Sequence, residues 1–177
     1  MSDTTTAPWQ GEAYDVLVNA GVQQMSYVPD AGHAELIRRF KSNENIKCIS
    51  LTSEEEGVPI ACGAWLGGQR SVMLMQSSGV GNCINAFSLL SSCRFPFLTV
   101  VTQRGEWAEF NQWQVPMGST TQACFELMGF GVYRIDDPSE VAPTIDAAAH
   151  MVFNGDQRIA ILLSQKLIGR KNWSSHD

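Results

Sequence analysis

The sequence predicts one α/β domain, a doubly wound, mostly parallel sheet of about six strands with helices on both faces. Three observations predict it. Residues 71–75 (S-V-M-L-M), 97–102 (F-L-T-V-V-T) and 158–163 (R-I-A-I-L-L) are apolar almost throughout, and such strands must be covered on both faces. They alternate with segments of helical apolar period, so the connections are right-handed crossovers within a parallel sheet. No repeat, low-complexity linker or shift of composition divides the 177 residues, a length that suits a single core.

In chain order, residues 11–19 read as a helix with Ala13, Val16, Leu17 and Ala20 on one stripe, stopped by Gly21. Residues 24–28 are a strand that ends at Pro29, 33–41 a helix with Leu36, Ile37 and Phe40 inward, and 46–51 a strand. An apolar helix over 54–66 closes at Gly67-Gly68, and the strand 71–75 leads to a helix over 80–91 opened by Gly79 and Gly81. After the strand 97–102, the mixed polar, Trp and Pro content of 104–118 reads as a long loop. A helix over 121–128, a strand over 132–135, an amphipathic helix over 139–153 and the strand 158–163 complete the domain. Residues 1–9 read as a disordered lead, 10–169 as the domain and 170–177 as a polar tail.

The net charge of −6, with no basic run or basic-aromatic stripe, argues against nucleic acid as a partner. Apolar stretches break well before the roughly 18 residues of a membrane span. Charged residues make up only 17% of the chain and five Trp are present, which fits a surface partly covered by another chain. The five cysteines (Cys48, Cys62, Cys83, Cys93, Cys124) are odd in number and lack C-x-x-C spacing. They read as reduced, mostly buried thiols of a cytoplasmic protein.

Ligands of a doubly wound sheet bind beyond the carboxyl ends of its strands, so four junctions matter. At Ser53-Glu54-Glu55-Glu56 the plain reading is an S-x-x-E capping box with acids complementing the helix dipole. The functional reading is a carboxylate in an apolar cleft, suited to proton exchange. Ser77-Ser78-Gly79-Val80-Gly81-Asn82 is either a packing turn or a place where a ligand approaches the backbone. It lacks the third Gly of a dinucleotide fingerprint, since position 84 is Ile84, and the Gly-Lys-Ser/Thr of a P-loop. Asp30 is a turn residue or a ligand contact, and His33 beside it is structural or catalytic. In the Trp-containing loop, Arg104 pairs either with an anionic substrate or with Glu106 or Glu109.

Taken together, Tyr27-Val28-Pro29-Asp30, the run from Glu54 to Trp65 and the run from Met75 to Asn85 resemble the pyrimidine-binding domain of thiamine-diphosphate-dependent decarboxylases. With Gln114-Val115-Pro116-Met117-Gly118 they look closest to the sulfopyruvate and phosphonopyruvate decarboxylase type. The resemblance covers roughly residues 13–163 in the same order.

Counted from Gly63-Ala64-Trp65, the resemblance puts the cofactor-activating Glu at Glu55, with Glu54 and Glu56 as neighbouring registers. It implies that Pro29, Ser77, Ser78, Gly79, Val80 and Gly81 line the cofactor's pyrimidine. Asp30, His33, Arg104 and Gln114 are its substrate-side candidates. The implied substrate is a small anionic 2-oxo acid such as sulfopyruvate, decarboxylated to sulfoacetaldehyde. The family's Gly-Asp-Gly motif and downstream Asn are missing here. The resemblance therefore assigns diphosphate and Mg²⁺ to a separate beta subunit, in a hetero-oligomer with several copies of each chain. A nucleotide- or anion-binding module at Ser77–Asn82 and a non-catalytic interaction domain are the other readings of the same residues.

Overall fold

The computed structural model describes residues 8–169; the predicted tail and most of the predicted lead lie outside the described residues. Six strands form one sheet: β1 (Val22–Tyr27), β2 (Lys47–Ser50), β3 (Arg70–Gln76), β4 (Phe97–Thr102), β5 (Gly131–Ile135) and β6 (Arg158–Leu163). All neighbours run parallel, in the order β2-β1-β3-β4-β6-β5. The eight helices are α1 (Pro8–Asn19), α2 (Ala34–Lys41), α3 (Gly57–Leu66), α4 (Ser77–Cys83), α5 (Phe87–Cys93), α6 (Val115–Leu127), α7 (Val141–Gly155) and α8 (Gln165–Ile168).

Strand alternation divides the core. Val72 and Leu74 of β3 point to one face, where α1, α2 and α7 pack through Leu17, Leu36, Phe40, Ile145 and Val152. Met73 and Met75 point to the other, against Val58 of α3, Val80 of α4, Phe87 of α5 and Phe125 of α6. Both central strands are therefore buried on two sides, which is why their sequences are apolar throughout. Between β1 and β3 the strand order reverses direction. The crossovers part there and leave a crevice at the carboxyl ends.

Several boundaries differ from expectation. Trp9, assigned to the lead, lies in α1 and is 2% exposed, because Pro8 can open a helix and Trp9, Ala13 and Leu17 share one stripe. The helix expected over 80–91 is two helices. The first begins at Ser77, directly off β3, and residues 84–86 turn tightly, with Ser88 N–H donating to Asn85 O and Leu89 N–H to Ala86 O. That bend drives Phe87 and Leu90 into the core. Helix α6 starts at Val115 rather than 121, with Pro116 tolerated in its first turn. Two of the five unbridged thiols, Cys62 and Cys83, are buried, whereas Cys93 is exposed. Among the described residues no helix is long and apolar enough to cross a membrane.

Candidate functional site

The chain leaves β2 with Leu51 N–H still bonded to Tyr27 O at 2.9 Å. Ser53 remains extended, and Glu54–Glu56 then form a single 3-10 turn before α3. Gly57 brings this turn close to the sheet, since a side-chain carbon there would lie 2.6 Å from Met73 Sδ. The turn is thus pressed down and its first residue faces inward.

That residue is Glu54, which is 9% exposed. Its carboxyl lies against Gly79 of α4, where any Cβ would overlap it. Asn82, at the exposed rim of α4, donates from Nδ2 to Glu54 Oε2 at 2.9 Å. Glu55 is exposed and accepts from Ser53 Oγ at 2.9 Å. Glu56 is exposed as well and accepts from Thr52 N–H at 2.9 Å. The capping box does not form as written, because Ser53 Oγ bonds Glu55 and caps no backbone N–H.

The buried carboxylate is therefore Glu54, the register beside the expected Glu55. Helical spacing did not separate them, since Glu54 shares a stripe with buried Gly57, Val58 and Ala61, and Glu55 shares one with buried Val58 and Cys62 as well as exposed Pro59.

A second cluster spans the ends of β1, β3 and β4. Asp30 Oδ1 accepts from Gln76 Nε2 at 3.0 Å, and Asp30 Oδ2 accepts from Thr102 Oγ1 at 2.7 Å. Gln76 Oε1 in turn accepts from Ser78 Oγ at 2.8 Å, which links this cluster to α4. Asp30, Gly32, Thr102, Arg104 and Ile168 border a cavity of about 140 Å³. Asp30 makes no capping bond, so its turn role gives way to this network. Gln76 and Thr102 were not among the expected site residues, and Asn82 was expected only as the end of the Gly-rich run; the fold brings Asn82 to Glu54, and Gln76 and Thr102 to Asp30.

His33 is fully buried behind Asp30, with Nδ1 3.6 Å from Asp30 Oδ2 and neither ring nitrogen hydrogen-bonded. Burial pushes its pKa down to about 4, against the opposing pull of the Asp30 charge. It does not border the cavity.

Arg104 is held by Glu109 through two bonds while it borders the cavity. Ser77 Oγ accepts from Arg104 N–H at 3.1 Å, and Ser77 and Val80 are fully buried, so both support α4 from beneath. Gly81 faces Met117, and Gln114 Oε1 is buried without a hydrogen bond at the start of α6. Pro29 is exposed beside an apolar groove with Tyr27, Ala34, Ile37 and Lys41. Near Glu54, burial and then the Glu54 and Glu55 charges push the Cys83 thiol up to about 12, so it is no nucleophile.

No protein-family model matches the chain. It is 33% identical over 151 residues to the sulfopyruvate decarboxylase subunit alpha of Methanococcus maripaludis, covering 85% of this chain and 90% of that one. The chain belongs to the sulfopyruvate decarboxylase alpha-subunit family. A phosphonopyruvate decarboxylase of Streptomyces viridochromogenes is also 33% identical, over 75% of this family member but only 34% of the longer enzyme. In fold, the alpha-subunit chain matches a 2-oxoglutarate:ferredoxin oxidoreductase from Magnetococcus marinus at a TM-score of 0.74 and 14% identity, over 96% of this chain and 34% of that one.

Proposed function

We propose that this chain is the half of a two-chain 2-oxo acid decarboxylase that holds the aminopyrimidine of thiamine diphosphate, with Glu54 as the activating acid. The observation that carries the reading is the buried Glu54 carboxyl lying against Gly79, in a chain 33% identical to a sulfopyruvate decarboxylase alpha subunit. The proposed substrate is sulfopyruvate, giving sulfoacetaldehyde and CO₂.

The residues present fit the cofactor. Gly79 has no side chain, which lets the Glu54 carboxyl settle against α4, where it would meet a ring nitrogen. Ser78, Gly79 and Gly81 would border the ring, while Ser77 and Val80 keep α4 in place. When bound, thiamine diphosphate supplies the electron sink for decarboxylation. Glu54 would hold or return the proton of the ring nitrogen at the oxygen that Asn82 leaves unbonded. Asp30, fixed by Gln76 and Thr102, is the candidate acid–base group on the substrate side.

A beta subunit would supply diphosphate and Mg²⁺ binding. Two facts support this: the match to only 34% of a longer decarboxylase, and the outward Trp113 and Leu127, each 86% exposed. An anion-binding role for Ser77–Asn82 is disfavoured, because the Glu54 carboxylate already stands beside Gly79 and Asn82.

The test is Glu54→Gln in the assembled complex, with Glu55→Gln as control. Glu54→Gln is expected to leave assembly intact and to lower kcat by about 10²–10³-fold. Normal turnover at saturating cofactor would remove the assignment. Mere loss of stability with turnover retained would favour a non-catalytic domain.

A further inference from the structure

We infer that Asn82 is a positioning residue that fixes the Glu54 carboxyl, engaging Oε2 so that Oε1 is presented for proton exchange. The inference rests on the reading of Glu54 above. Asn82 Nδ2 donates to Oε2 at 2.9 Å, and Oε1 lies over the bare backbone of Gly79. Among the described residues Oε1 accepts no hydrogen bond. A carboxyl with both oxygens free could rotate about its last torsion, which is a broad well. One engaged oxygen removes that freedom and leaves the other beside Gly79. Asn suits the task because its amide donates to a carboxylate without adding a charge.

Among the described residues, the groups that face the pair are these. The elements packed on the turn and on α4 carry Cys62, Cys83, Cys124, Glu126 and, at the far end of β3, Arg70, which donates to Ala20 O and Asn154 Oδ1; the turn itself carries Glu54, Glu55 and Glu56. Burial holds the Cys62 thiol up at about 11 and the Cys83 thiol up at about 12. Glu126 is engaged by Gln122, Glu55 by Ser53 and Glu56 by Thr52.

The experiment compares Asn82→Ala, Asn82→Asp and Glu54→Gln in the assembled complex, by kcat and by melting temperature without cofactor from pH 8 to pH 5. Asn82→Ala sits at the rim and is expected to fold, with kcat lowered roughly 10- to 100-fold. Asn82→Asp sets a second carboxylate beside Glu54. One of the pair then takes up a proton more readily in the folded state, so stability is present at low pH and lost as pH rises. Measured as the difference from wild type at each pH, its melting temperature is expected to fall toward pH 8 and recover toward pH 5, whereas Asn82→Ala shows an offset that does not change with pH. Adding Glu54→Gln to Asn82→Asp should abolish the pH dependence of that difference. If Glu54→Gln is inactive but Asn82→Ala turns over normally, the positioning role is overturned while Glu54 stands. If Glu54→Gln remains active, the underlying reading is what fails. Equal losses for Asn82→Asp at both pH values would reduce Asn82 to a structural residue and overturn the inference.

Discussion

Arg104 and Glu109 grip each other at both ends of their charged groups, Nε to Oε2 and Nη2 to Oε1, each at 2.7 Å. Glu109 also accepts from the backbone N–H of Gly105 and Asn111 and from Gln165 Nε2. One carboxylate thereby organises residues 104–111 and ties them to the end of β6.

The Arg104 guanidinium, with these further donors, holds the Glu109 carboxyl down at about 2, against an ordinary value near 4.5. The folded pKa lies below the unfolded one. The stabilisation is therefore complete above pH 4.5 and is lost as pH falls toward 2. Glu109→Gln should flatten the acid limb of a melting-temperature profile between those values. Parallel profiles for the two proteins would contradict this.

His33 makes the opposite demand for a base. Its folded pKa of about 4 lies below the ordinary 6.5, so protonation favours the unfolded chain. Its stabilisation is full above pH 6.5 and declines as pH drops toward 4. A His33→Gln variant should lose less stability than the wild type across that interval. Denaturant titrations at pH 7 and pH 4.5 measure the difference.

Gly118 faces the Arg104 carbonyl so closely that any Cβ would overlap its oxygen and lie 2.8 Å from its carbon. Both obstacles are backbone and cannot swing aside. Gly118→Ala is expected to destabilise by about 1–3 kcal/mol. Gly63, inside α3 with nothing within 4 Å of a new methyl, is the counterpart, and Gly63→Ala should stabilise by roughly 0.5–1 kcal/mol. Thermal melts of the two variants should shift in opposite directions.

Phe87 is fully buried and packs its ring on Phe97, Phe125 and Phe130 at 6.1, 5.4 and 4.9 Å. Phe87→Ala opens a void shared by α5, β4 and α6, at a cost of about 3–5 kcal/mol. Urea denaturation should show a lowered midpoint with an unchanged slope.

Most of the fold was legible because the pattern that encodes it is local. The strand limits at 97–102 and 158–163 were read directly, since an apolar run bounded by Pro96 or Gln157 leaves little choice. The early start of α6 was not legible. Gly118 looks like a helix breaker until the carbonyl it makes room for is known. The site divides the same way. The acidic run after β2 and the Gly-rich segment after β3 stood out in one dimension. Which carboxylate turned inward depended on Gly57 pressing against Met73, and the Asp30 network joins residues 46 and 72 positions apart. Of the two acids the loop offers Arg104, Glu109 is the one it pairs with.

The two bonds of Asp30 also have a mechanical meaning. Its side chain bolts together three neighbouring strand tips, so β1 cannot swing from β3 without first breaking with Gln76, nor from β4 without breaking with Thr102. The floor of the crevice behaves as a cast mould, and any adjustment to a differently shaped guest falls to whatever closes over it from above.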